Sequence, residues 1–252
     1  WVLNYLVRFL RNSFTGQSAE VIAAKFPEMV DNPMSVLLYF LFFAFITMWL
    51  VSRGVNKGIE VAAKVLMPLF FILLIGLSLY SIISGMPSGG TAQAVSFMFT
   101  PDFSKINMQT LLEATGQAFF SLSLGSATML VYGSYTSSKA NLTKLGWLVT
   151  LCDIGVAFIA GLLIIPAMYA AANLGTEIFD ANGALISGPN LIFQVLPNLF
   201  DSMGAIGIYI AFVFFLLMSI AALTSSIAML EPVVAYVVDS GKAERKKATW
   251  LT

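Results

Sequence analysis

Five apolar stretches constrain this chain more than any other feature: Met34 to Val51, Val61 to Ser84, Leu111 to Tyr135, Leu145 to Ala172 and Gly204 to Val238. A helix that crosses a bilayer needs roughly 20 mainly apolar residues, and main-chain polar groups in hydrocarbon must be paired within the chain. The chain is 58% hydrophobic and 10% charged, against about 25% charged in soluble domains. The fold class is therefore all-α transmembrane. Trp1 to about Phe9 reads as the last turns of one more helix. At about 1.5 Å per residue the last stretch is longer than a ~30 Å hydrocarbon core, so it should tilt or protrude. The chain opens inside a helical apolar pattern and stops at Trp250-Leu251-Thr252, where another apolar segment begins. We read it as the interior of a longer protein.

Composition closes several routes to function. There is no His, and Cys152 has no partner. Disulfide frameworks, His/Cys metal sites and Ser-His or Cys-His catalysis in cis are excluded. Formal net charge is zero and no basic tract is long enough to hold nucleic acid. An intramembrane hydrolase would have only Asp153 and Glu231 as acids, with no nucleophile–base pair, so the chain is not expected to be an enzyme.

The remaining charges set orientation. One set of short loops carries Arg53, Lys57, Lys64, Lys139, Lys144, Lys242, Arg245, Lys246 and Lys247. The opposite set carries Arg8, Arg11, Lys25 and Lys105 with most of the acids, including Glu20, Glu28, Asp31, Asp102, Glu177, Asp180 and Asp201. The positive-inside rule places the first set in the cytoplasm.

One span carries a break. Phe119-Phe120-Ser121-Leu122-Ser123-Leu124-Gly125 alternates Ser with Leu and ends in Gly, a poor helix interior. Irregular backbone at membrane depth is tolerated only against protein or a water-filled cavity. It predicts a site for a small polar solute or ion. On the last span, the Ala221 carbonyl and the Thr224 and Ser225 hydroxyls fall on one helix face. They can form half a cage for a small hard cation, or the hydroxyls can simply bond back to carbonyls one turn earlier. Asp153 lies at membrane depth, where a carboxylate costs about 2.5–3.5 kcal/mol on insertion scales; it calls for a cation, a partner or a proton. Pro232 kinks its helix, and Glu231 before it either caps the freed groups or has a functional role. Phe119 and Phe120 are packing residues or a lid beside the break.

Four stretches carry a resemblance. They are Arg53-Gly54-Val55-Asn56-Lys57-Gly58-Ile59-Glu60 with Lys64 and Met67-Pro68; Gly116 to Gly125; Asp153 with Ala160-Gly161 and Ile165-Pro166; and Leu223-Thr224-Ser225-Ser226 through Glu231-Pro232. In this order they resemble the neurotransmitter:sodium symporter family, its bacterial amino-acid transporters most closely. The resemblance implies a partial inverted-repeat symporter fold with a discontinuous helix at about 111–135. Residues 1–11 would end helix 3, 12–33 form an extracellular loop, 34–52 helix 4 and 58–84 helix 5. Residues 85–108 would be an extracellular loop, 109–137 the broken helix 6 and 143–172 helix 7. Residues 173–202 would be a further extracellular loop, 203–239 helix 8, and 240–252 a cytoplasmic loop with the start of helix 9. Helices 1–2 and 9–12 would be the missing partners of the same protein, within a single membrane domain.

The resemblance also implies roles. Ser121 and Asp153 match the first sodium site, and Ala221, Thr224 and Ser225 the second. Phe120, Ser121, Ser123, Ser126, Ser225 and Met229 match substrate-pocket positions. Phe120 matches the lid, Tyr135 and Asp239 the cytoplasmic gate, and Gln117 a position linked to chloride. Asp153 stands where many relatives have Asn, and Ala157 where others have Ser or Glu; Asp153 is expected to supply the negative charge that chloride gives elsewhere, so chloride would not be required. Ser126 is small where a leucine-selective relative has Phe, which favours a bulky hydrophobic or aromatic substrate. The expected function is sodium-coupled symport of an amino acid across a bacterial inner membrane. The alternative is a membrane-embedded amino-acid sensor or scaffold with the same fold and no transport.

Overall fold

The computed structural model describes residues 1–173, 177–179 and 185–251, with Lys105 as backbone alone. Asp180, one of the acids used above for orientation, lies outside the described residues. The order of elements is α1 (Val2–Leu10), α2 (Ala19–Val30), α3 (Pro33–Ser52), a π-helical turn (Val55–Ile59), α4 (Glu60–Gly85) and α5 (Gly90–Phe99). After a short 3₁₀ turn (Phe103–Lys105) come α6 (Met108–Ser121), α7 (Thr128–Ser134) and α8 (Leu142–Ala172). Then follow α9 (Gly188–Asn190), a second π-helical turn (Leu191–Val195), α10 (Leu196–Ser202), α11 (Ala205–Asp239) and α12 (Arg245–Leu251).

Among the described residues four helical segments are long and apolar enough to cross a membrane: Pro33–Ser52, Val55–Gly85, Leu142–Ala172 and Ala205–Asp239. The fifth apolar stretch is divided into α6 and α7. The polar stretches between spans contain short helices of their own, α2 within 12–33, α5 within 85–108 and α9 with α10 within 173–202.

Local chemistry sets the ends. The Ser18 hydroxyl accepts from Val21 N to start α2. Asn107 and Thr110 form a reciprocal box at the start of α6: Thr110 N donates to Asn107 Oδ1 at 3.0 Å, and Asn107 N to Thr110 Oγ1 at 3.4 Å. Both satisfy donors that a first helical turn leaves unpaired. Gly54, with φ +87°, ends α3 in a conformation that costs a glycine little.

The described chain divides into two compact units. The first comprises Trp1–Ala44, Met67–Phe99 and Ile159–Ala222. Its interior is aromatic. Phe9 stacks on Phe14 at 4.3 Å and on Phe215 at 5.5 Å, and Tyr5 lies 5.0 Å from Phe193, whose carbonyl accepts the Tyr5 hydroxyl at 2.8 Å. In this unit α4 is joined to α8 by hydroxyls. Ser78 Oγ is shared between Leu74 O of its own helix at 2.7 Å and Ile159 O at 3.0 Å, and Ser81 Oγ donates to Leu163 O at 2.6 Å. Small residues and side-chain hydroxyls are the usual adhesive between helices in lipid, where apolar burial gives no preference for protein over solvent. The second unit comprises Phe45–Leu66, Thr100–Phe158 and Leu223–Thr252. Its core gathers Val51, Ile59, Ile227, Val234 and Ala248, with Tyr132 and Leu230 packed against them.

Close packing in the first unit is testable at Gly90. A Cβ there would lie 2.6 Å from Ala170 N, a backbone atom that cannot swing aside. Gly90→Ala is expected to destabilise the full-length protein by about 1–3 kcal/mol through overpacking. Gly76→Ala, with nothing within 4 Å, should be neutral or slightly stabilising, since Ala is the better helix former. Thermal unfolding in detergent compares the two; equal midpoints would remove the contact as a constraint.

Candidate functional site

The break between α6 and α7 is a left-handed excursion. Ser123 has φ +54°, Gly125 +85° and Ala127 +62°. For Ser and Ala this region costs roughly 1–2 kcal/mol each, because Cβ crowds the following carbonyl. Such strain persists where surroundings over-determine it, and it clusters at sites of function. The turn is partly self-satisfied. Ser123 N donates to Phe120 O at 3.1 Å and Leu124 N to Phe119 O at 2.9 Å. Ser126 Oγ donates to Ser123 O at 3.0 Å and lies 3.0 Å from the Thr128 hydroxyl.

At the end of α6, Ser121 Oγ donates to Asp153 Oδ1 at 2.6 Å. This joins the broken strip to α8 within the second unit and brings together the two residues assigned to the first sodium site. A carboxylate with a hydroxyl beside it is a hard-oxygen donor pair, suited to a small hard cation rather than to a thiophilic metal. Phe120 is 81% exposed, open beside the break. Thr224, Ser225 and Met229 lie on the second unit's stretch of α11, with Ala221 one turn earlier on the same unbroken helix. Met229 and Ser225 are exposed, so their faces are not filled by the described residues of that unit.

Glu231 takes a role its sequence context left open. It is fully buried. Its Oε1 accepts the Tyr135 hydroxyl at 2.5 Å, and its Oε2 pairs with Arg245 Nη2. Arg245 Nε in turn donates to Val51 O at 3.1 Å. The acid therefore ties the end of α7 and the start of α12 to α11, with Arg245 carrying the link on to the end of α3, rather than capping groups freed by Pro232. From sequence Arg245 stands only as one of the charges that set orientation. The signal that could have found it is its place just past Ser240-Gly241, where a turn returns the chain to the last span. Tyr135 spends its hydroxyl on Glu231, while Asp239 is exposed at the end of α11.

Comparison with known proteins agrees with this arrangement of broken and continuous helices. The profile of the sodium:neurotransmitter symporter family matches residues 20–252. The uncharacterized sodium-dependent transporter YhdH of Bacillus subtilis is 35% identical, over 100% of this chain and 52% of its own length. An uncharacterized sodium-dependent transporter of Haemophilus influenzae is 31% identical, over 100% of this chain and 53% of its own. The crystal structure of MhsT in complex with L-phenylalanine superposes with a TM-score of 0.83 at 36% identity, covering all of this chain and 54% of that one. The chain thus spans about half the length of the curated relatives it matches. With the profile spanning nearly all its residues and the fold shared at this identity, the chain belongs to the sodium:neurotransmitter symporter family.

Proposed function

We propose that the full-length protein carries an amino acid across a bacterial inner membrane together with sodium, by alternating access. The observation that carries this reading is the Ser121–Asp153 hydrogen bond at a helix broken by left-handed residues. In that place an alkali cation exchanges one hydroxyl–carboxylate bond for two oxygen ligands. The second ion position is the Ala221 carbonyl with the Thr224 and Ser225 hydroxyls. Ion loading favours the outward-facing state by differential affinity, the only means by which a ligand shifts a two-state equilibrium. The substrate then meets Phe120, Ser121, Ser123, Ser126, Ser225 and Met229, and Phe120 closes over it. MhsT binding L-phenylalanine and the small Ser126 both support a bulky hydrophobic or aromatic amino acid. On the cytoplasmic side Tyr135, through Glu231, holds α7 closed; Asp239 is the second gate residue. Helices 1–2 and 9–12 of the full-length protein would complete the pocket.

Scintillation-proximity binding of labelled phenylalanine or tryptophan to the full-length protein tests the ion sites. Binding is expected in sodium, and is expected to weaken at least tenfold in Thr224→Val/Ser225→Ala, the scale of a lost ligand set at about 1.4 kcal/mol or more. Undiminished binding in potassium buffer would remove the assignment, and competition favouring Gly or Ala over Phe and Trp would remove the substrate class. Flux into sealed vesicles separates a transporter from a sensor, which binds but moves nothing.

Asp153 gives a second test. Uptake is expected to persist when chloride is replaced by gluconate, because the carboxylate supplies the fixed charge; collapse of uptake would refute this.

The buried pair gives a third. Arg245→Ala leaves the Glu231 carboxylate buried and unpaired and is expected to destabilise by about 3–5 kcal/mol. Glu231→Gln in that background should recover part of the loss. Strict additivity in thermal or denaturant unfolding would show that the two are not coupled.

A further inference from the structure

Phe45 and Trp49 are four residues apart and share one face near the end of α3, and Arg53 follows in the turn just past it. The Arg53 guanidinium lies 4.0 Å from the centre of the Trp49 ring, and both side chains are exposed, Trp49 by 42%. Beside them runs α12. Arg245 Nε reaches Val51 O, and the Phe45 and Trp250 rings lie 5.7 Å apart. These two contacts set α3 and α12 antiparallel and place the first turn of α12 level with Trp49 and Arg53. The face of α12 toward the unit's core holds Ala248 and Thr249, while Lys246, Lys247 and Trp250 are exposed. Lys246 and Trp250 are four apart, on one side of the helix. Two acids of this unit are already engaged by other cations, Glu60 by Lys64 at 2.6 Å and Glu231 by Arg245.

Exposed Trp rings flanked by cations at the end of an apolar span match the chemistry of the headgroup layer. Trp favours that depth, and basic clusters on the cytoplasmic side attract anionic lipid. A guanidinium stacked on Trp keeps its fork open for phosphate. We infer that the notch between α3 and α12 binds the headgroup of an anionic phospholipid of the cytoplasmic leaflet. Arg53 and Lys246 hold the phosphate, and the upper acyl chain lies along Phe45, Trp49 and Trp250. The inference rests on the orientation given by the loop charges and is independent of transport.

Native mass spectrometry of the full-length protein, released from micelles of equal phosphatidylglycerol and phosphatidylcholine, tests it. The wild type is expected to retain phosphatidylglycerol preferentially, with the preference falling about fivefold in Arg53→Gln and about fivefold again with Lys246→Gln. Arg53→Lys keeps the charge and should fall between wild type and Arg53→Gln. Lys64→Gln, whose charge is already engaged, should leave the preference intact. Equal retention of the two lipids by the wild type, or an unchanged preference in Arg53→Gln/Lys246→Gln, overturns the inference.

Discussion

An unpaired peptide group in hydrocarbon costs several kcal/mol, and the residues between Ser121 and Thr128 interrupt the ladder that would otherwise pair them. The strip around the break recovers some of this through Ser123 N, Leu124 N and the Ser126 hydroxyl. It does so by holding Ser123 and Ala127 in a left-handed conformation that neither residue favours. A continuous helix would be the cheaper backbone for this span. The departure places the end of α6 against Asp153, whose carboxylate gains the Ser121 hydroxyl as a donor.

A buried charge organises another part of the same unit. Glu231, fully buried, collects one hydroxyl and one guanidinium from segments far apart in sequence. Desolvating such a pair offsets much of its attraction, so its value lies less in net stability than in the cost of breaking it unevenly. That cost favours two well-defined arrangements with little population between them, as the proposed gate would require. The break and the buried pair both involve the short helix α7, which starts at the left-handed Ala127 and is tethered through Tyr135 just past its end.

The spans were legible because bilayer thickness writes itself directly into the length of an apolar run, and α3, α4, α8 and α11 follow those runs. The break was legible because Ser-Leu alternation ending in Gly opposes helix in any context. The helices in the polar stretches were less so: α5 begins at Gly90 and α10 carries Pro197, and their formation depends on contacts that local propensity does not encode. The pairing of Ser121 with Asp153 came from resemblance, since nothing in either helix alone sets their mutual distance. Glu231 shows the limit of local reading. The proline beside it suggested a short-range duty, whereas its partners come from residues 135 and 245, whose proximity only the folded chain creates.

The hydroxyl bridges from Ser78 and Ser81 to the Ile159 and Leu163 carbonyls have a mechanical corollary. The donors are three residues apart and the acceptors four, so both bridges fit at a single axial offset of α4 against α8. Sliding by one helical turn, about 5.4 Å, would break both together; Ser78 would keep its bond to Leu74 O on its own helix at 2.7 Å, while the Ser81 hydroxyl would lose its partner. Those two hydroxyls act as a pawl: this seam can roll or tilt as a piece, but it resists slipping lengthwise.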